Sequence, residues 1–244
     1  MNILFEILNE QHYMTENTFS FEFSRDSKSV NYEVTPFISL DYPMQAVLVV
    51  CIDNSELSNV SNNEFLKKLA VAFRKQDFHQ PDMDKNTTLI IKSLRDDKEI
   101  VNLSAKVQIE DNPYYFKKYV FSYSKVEEKH AIDFVIEKKK SDSESDSVSS
   151  IIQKYLFSTD MFTKYKNNAD DAATYKYFSE LSIKIPFLPL EVTSSSEMLT
   201  VDQILSKSRK YDEAKVEKIN AFLDLNFDFK EDDVESIISA WENN

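Results

Sequence analysis

Not one of the 244 residues is glycine, against an ordinary usage of about 7%. Glycine supplies positive-φ turns and lets a backbone come close to a phosphate. The P-loop, the dinucleotide fingerprint and the nucleophile elbow each need it at fixed positions. All three are excluded, so the chain binds no nucleotide by those routes. Its tight turns are expected to fall to Asn, Asp and Ser.

Hydrophobic residues make up 42% of the chain and aromatics 13%, which favours a folded core over disorder. At ~150 residues per domain, this length suits one large domain or two modest ones. The net charge is −13, from 29 basic and 42 acidic residues. Residues 1–60 hold nine carboxylates and, for cations, only Arg25 and Lys28. Such a surface repels nucleic acid unless basic groups cluster, because phosphate neutralisation drives that binding. The clusters Lys67-Lys68, Arg74-Lys75, Lys117-Lys118 and Lys138-Lys139-Lys140 are small and each suits a solvated face. DNA contact by this chain alone is therefore not expected. No basic-apolar-small leader opens the sequence and no apolar run nears the ~18 residues of a membrane helix. A soluble, cytoplasmic protein is expected. The one cysteine, Cys51, cannot close an internal disulfide. Within "AVLVVCI" it is expected to be buried and inert.

"NILFEILNE" (2–10) carries apolar positions Ile3, Leu4, Ile7 and Leu8 at helical spacing and suits a short opening helix. "FSFEFS" (19–24) and "VNYEVTPFISL" (30–40) alternate as half-buried strands. "AVLVVCI" (46–52) and "TTLIIKSL" (87–94) are apolar runs suited to strands covered on both faces. Between them, Ser61 and Glu64 form a capping-box pattern ahead of the stripe Phe65, Leu69, Ala72 and Phe73, which predicts a helix over 62–76. Strand, helix, acidic loop, strand is a crossover and implies that 46–52 and 87–94 pair in parallel. "AKVQIE" (105–110) is a candidate further strand. Ser124 and Glu127 repeat the capping box and predict a helix to about Lys139.

"KKKSDSESDSVSS" (138–150) is charged and serine-rich, suited to a linker. An α/β domain over 1–140 and a helical domain over 151–244 are expected on its two sides, with 141–150 as the link. The helical stripes are Val148, Ile151, Ile152, Tyr155 and Leu156; Tyr175, Phe178 and Leu181; Val216, Ile219 and Phe222. Asp232 and Glu235 would cap a last helix carrying Val234, Ile237, Ile238 and Trp241. "KIPFLPLEV" (184–192) is expected to be extended, since its prolines block a helix interior. The fold class is thus an α+β or α/β N-terminal half, a mixed sheet with flanking helices, followed by a mostly helical C-terminal half.

Two stretches concentrate reactive or adhesive side chains. "RKQDFHQPDMDK" (74–85) packs Arg74, Asp77, His79, Asp82, Asp84 and Lys85. A restriction-type nuclease site of Asp53, Asp82, Asp84 and Lys85 is the enzymatic alternative, since such sites bind a divalent ion with oxygen ligands. The compact Asp-x-Glu-x-Lys pattern is absent, however. With His12, His79 and His130 the only histidines, no His-x-x-x-His pair supports a transition metal. No metal, no cofactor and no catalytic residue is expected. "DNPYYFKKYVFSYS" (111–124) crowds Tyr114, Tyr115, Phe116 and Tyr119 around Lys117 and Lys118. Core packing, a protein interface and base stacking share that composition, and the overall acidity argues against the last.

"VLVVCIDNSEL…FLKKLAVAFRKQDFHQPDMDKNTTLII", followed by "IEDNPYYFKKYVFSYS", resembles the middle components of prokaryotic three-component ABC systems. These are accessory subunits found beside an SMC- or Rad50-like ABC ATPase and an effector, including that of Lamassu-type anti-phage defence. The resemblance spans roughly residues 40–190. It implies a non-enzymatic scaffold that bridges the ATPase and an effector nuclease of the same operon. The expected partner-binding residues are Arg74, His79, Asp82, Asp84, Lys85 and Tyr114 through Tyr119. An acidic, phage-encoded inhibitor that mimics DNA is a further alternative.

Overall fold

In the computed structural model the residues described are 1–25, 28–96, 102–141, 146–167, 172–185 and 188. They lie within one compact unit, Met1–Glu191, and a second unit spans Val192–Asn244. The stripes at 216–222 and 234–241 and most of 184–192 fall outside the described residues.

The elements run α1 (Ile3–Glu10), β1 (Tyr13–Thr15), β2 (Phe19–Arg25), β3 (Lys28–Ser39), β4 (Ala46–Asp53), a 3-10 turn (Asn54–Glu56) and α2 (Leu57–Val60). They continue with α3 (Asn63–Arg74), α4 (Met83–Asn86), β5 (Thr87–Arg95), α5 (Leu103–Glu110), β6 (Lys117–Ser124) and α6 (Lys125–Ser141). The last described helices are α7 (Val148–Leu156), α8 (Thr159–Asn167) and α9 (Ala173–Lys184).

Six strands form one mixed sheet in the order β1-β3-β4-β5-β6, with β2 also paired to β3. β3 is antiparallel to β1, β2 and β4, whereas β4, β5 and β6 are parallel. The register sets Ala46 beside Thr87 and Asp53 beside Leu94, as the crossover pattern requires. Pro36 sits inside β3 opposite Leu48. Its carbonyl accepts from Glu16 N–H on the outer side. A strand residue's N–H and C=O point the same way, so the missing donor costs β4 no ladder bond.

Period-two alternation splits the core between the two faces of the sheet. Phe19, Phe21 and Phe23 of β2, Leu48 and Val50 of β4, and Leu89 and Ile91 of β5 meet α3 and α5 on one face. Phe65 of α3 is the hub there, with ring centroids 5.1 Å from Phe21, 5.5 Å from Phe23 and 5.1 Å from Tyr32. On the other face Val47, Val49, Ile90 and Phe121 pack with α1, α6, α7 and α9. Glu10, at the end of α1, accepts from Ser149 N–H at 2.9 Å and Ser149 Oγ at 2.7 Å. It thereby places negative charge at the α7 N-terminus, where the helix dipole favours it.

Three local expectations are corrected. Residues 105–110 are helical: Asn102 Oδ1 accepts from Ala105 N–H at 3.1 Å, and Ala105 and Ile109 bury at i, i+4 spacing. α3 is capped by Asn62, which accepts from Glu64 N–H at 2.9 Å, while Ser61 Oγ donates to Ser58 O instead. Cys51 is exposed. It shares a face with Val47 and Val49 but lies nearer the carboxyl end of β4, past their apolar cover. Asn and Ser make turns as expected, since Ser39 Oγ accepts from Tyr42 N–H at 3.0 Å and Asn112 Oδ1 from Tyr114 N–H at 2.9 Å, while the positive-φ positions among the described residues are His12 (58°) and Tyr115 (66°). The Ser124–Glu127 box forms as expected, with Ser124 N–H donating to Glu127 Oε2 at 2.9 Å and Glu127 N–H to Ser124 Oγ at 3.3 Å. No described helix is long and apolar enough to cross a membrane.

Candidate partner-binding face

Arg74 ends α3 and faces Asp84 on α4. Its Nε donates to both Asp84 oxygens, at 3.1 and 3.0 Å, and its Nη2 lies 2.9 Å from Oδ2. Bidentate pairing of this kind adds geometric definition to charge attraction. His79 Nε2 meets Oδ1 of the same carboxylate at 3.1 Å, and its side chain is only 11% exposed. Desolvation pushes the Asp84 pKa up, but the hydrogen bonds from Arg74 and His79 outweigh it and hold it below the usual value. Asp82 and Lys85 are exposed beside this triad. Residues 77–86 therefore form a braced loop and one helical turn leading into β5.

The second stretch enters β6. Tyr114 and Tyr115 are exposed, whereas Phe116 is buried. Left-handed backbone at Tyr115 costs a bulky residue about 1–2 kcal/mol. It turns the chain so that Lys118, 4% exposed, donates to the carbonyls of Tyr114 at 2.8 Å and Phe116 at 2.6 Å. Burial pulls the Lys118 pKa down to about 8. Lys117 remains exposed, its ammonium 5.5 Å from the centroid of the Tyr119 ring.

The two stretches meet. Phe73 lies 4.8 Å from the His79 ring and 6.2 Å from Phe116. Both enter parallel neighbours at the same level, since Thr88 pairs with Lys117. The candidate residues thus share the amino end of β5 and β6. Four exposed apolar residues that sequence reasoning passed over lie at the same end of the sheet: Met14, Leu40, Tyr42 and Met44. Met14 is on β1, and the other three are in the β3–β4 turn that leads into Ala46. The available signal was "LDYPM", three large apolar residues in a turn with no strand or helix to bury them.

A groove of about 400 Å³ opens beside β6, bordered by Glu110, Phe116, Lys118, Tyr119, Ile183 and Lys184. Phe116 and Tyr119 of this lining are of the aromatic type enriched at protein interfaces, set among charged side chains.

The restriction-type grouping is not assembled. Asp53 is level with Leu94 at the carboxyl end of β5, while Asp84 precedes Thr87 at its amino end. Seven strand steps separate the two levels, roughly 23 Å at ~3.3 Å per residue. Among the described residues no group of three or more His, Cys, Asp or Glu side chains is placed to hold a metal.

Residues 45–149 match the family model for ABC-three component (ABC-3C) system Middle Component 1, which supports a middle component of such a system. The matched range holds both stretches. No curated protein and no solved structure matches the chain.

Proposed function

With residues 45–149 matched to the Middle Component 1 of ABC-three component systems, we propose that the chain is the accessory subunit that bridges an SMC/Rad50-like ABC ATPase and an effector nuclease. Anti-phage defence of the Lamassu type is the setting proposed for that complex. The docking face is the amino end of β4, β5 and β6, carrying Arg74, His79, Asp82, Asp84, Lys85 and residues 114–119. The observation that carries this reading is the convergence of both stretches on Phe73. Forty residues apart in sequence, they form one surface in which buried rings hold exposed tyrosines and a braced ion pair at fixed positions. Rigid aromatic anchors with a polar rim are how interfaces concentrate binding energy.

The excess of carboxylates sets the expected electrostatics. A chain of net charge −13 meets basic patches on its partner, which governs encounter rate and orientation more than affinity. Co-expression with the adjacent ATPase and effector genes tests the assignment. Co-elution at low and moderate salt is expected, and loss of it in a Tyr114→Asp, Tyr115→Asp double variant that remains folded. Separate elution of the wild-type proteins at both salt concentrations would sink the assignment. Co-elution that survives the double variant would move the docking face elsewhere.

A further inference from the structure

At the other end of β6 lies a second cavity, of about 260 Å³. It is lined by Arg95 at the end of β5, Ser122 of β6, Lys106 of α5 and Lys176 of α9, with Glu180 also bordering it. We propose that it is a binding site for a phosphate-class oxyanion. The carboxyl ends of parallel strands are where open α/β sheets place ligands, and the side chains here are of the matching kind.

Arg95 is 7% exposed, and a guanidinium in that position must be compensated. Its Nη2 donates to Glu127, which also takes Lys176 Nζ at 2.9 Å and the backbone N–H of Ser124. Lys106 is paired with Glu180. Among the described residues that line or pair there, three cations share two carboxylates, an excess of one positive charge in a chain of net charge −13.

Ser122 supplies the second, independent observation. The residue is 8% exposed and borders the cavity, and its Oγ is buried with no hydrogen-bond partner among the described residues, so a ligand would reach it only after a small side-chain rotation. Leaving a buried hydroxyl unmatched costs about 1–3 kcal/mol. The hydroxyl-bearing Ser179 and Tyr165 border the same space. A planar fork, two ammonium groups and several hydroxyl donors suit a tetrahedral oxyanion with several acceptor oxygens. Pockets for drug-sized ligands run ~300–1,000 Å³, so this cavity suits a phosphate group rather than a whole nucleotide. The oxyanion is free phosphate or the terminal phosphate of a nucleic-acid strand. The site shares Ile183 with the groove beside β6 but none of the proposed docking residues, and it stands apart from that reading.

Binding is measured on the full chain at fixed ionic strength, by thermal shift and by equilibrium dialysis. The probes are inorganic phosphate, a short 5′-phosphorylated oligonucleotide and its 5′-hydroxyl counterpart, with chloride as reference. Saturable binding of phosphate with a raised melting temperature is expected. Lys176→Gln and Ser122→Ala should each weaken it roughly tenfold or more, as loss of a hydrogen bond to a charged group does. Lys176 is half exposed, so its variant should fold normally. Binding of the 5′-phosphorylated strand alone identifies a strand terminus as the source, and binding of inorganic phosphate identifies the free ion. Equal response to chloride and phosphate with no preference for the 5′-phosphate, or wild-type affinity in both variants, would mean a water-filled void and overturn the proposal.

Discussion

Lys184 on α9 donates to both carboxylate oxygens of Glu110 on α5, at 2.8 Å each, across the outer edge of β6. The two helices cover opposite faces of the sheet, and β6 is its last strand. Glu110 Oε1 also accepts from Val120 N–H at 2.8 Å. The pair Lys106–Glu180 joins the same two helices. An open strand edge is a template for unwanted pairing, and here charged side chains close it.

Glu110→Ala should therefore do more than remove a surface ion pair. It strands the Val120 N–H and the Lys184 ammonium, whose side chain is 15% exposed, at an expected cost of about 1–3 kcal/mol. Glu110→Gln keeps an acceptor for Val120 and should cost less. Urea denaturation of the three proteins measures both. If Ala and Gln variants match the wild type, the edge is closed by something other than Glu110.

Much of the sheet was legible in the sequence, and the reasons are local. The β4–helix–β5 crossover follows from two apolar runs flanking an amphipathic segment with its polar start. α5 was not legible, because Val107 and Ile109 alternate like a strand while its Asn102 cap lies just outside the quoted run. The Cys51 thiol was misjudged because an apolar run reports the faces of a strand but not where its cover ends. Each half of the candidate face was visible as a stretch of residue types. Their meeting around Phe73 was not, because it depends on the pairing of β5 with β6. Glu110 was invisible for the same reason: only the tertiary arrangement puts it at a strand edge.

Lys118 makes stability rise with pH. Burial lowers its pKa from 10.5 to about 8 in the folded protein, so between those values the unfolded chain holds more protons. Stability then increases as pH rises through that window. The urea midpoint of the wild type is expected to gain between pH 7.5 and 9.5 relative to that of Lys118→Met. Parallel midpoints in the two proteins would show that this ammonium is not the group responsible.

Asp84 acts in the same sense, at acid pH. Its folded pKa lies below the ordinary 3.8, so the stabilisation from Arg74 and His79 is fully present above the unfolded pKa. It is lost as pH falls through the folded value. The stability gap between wild type and Asp84→Asn should close as pH falls below about 4. The side chain is 34% exposed, so raising the salt concentration should narrow the gap as well. A gap that stays open in acid would assign it to shape rather than charge.

Tyr115 offers the sharpest separation of fold from binding. Its φ of 66° carries a steric penalty that glycine escapes, about 1–2 kcal/mol, while the greater freedom of an unfolded glycine returns about 0.5–1 kcal/mol. The ring is 40% exposed and lies 6.4 Å from Phe116 in a tilted contact, so its removal loses little packing. Tyr115→Gly should leave stability unchanged or raised by up to about 1 kcal/mol. If the ring is an anchor of the proposed docking face, the same variant should bind the proposed ATPase and effector partners at least roughly tenfold more weakly, as loss of an interface hot spot does. Tyr115→Asn, which tolerates the left-handed region without a ring, should behave alike in both assays. Strain kept at a position that binds nothing has no compensating role. A variant that is more stable and binds as well as the wild type would therefore remove Tyr115 from the interface.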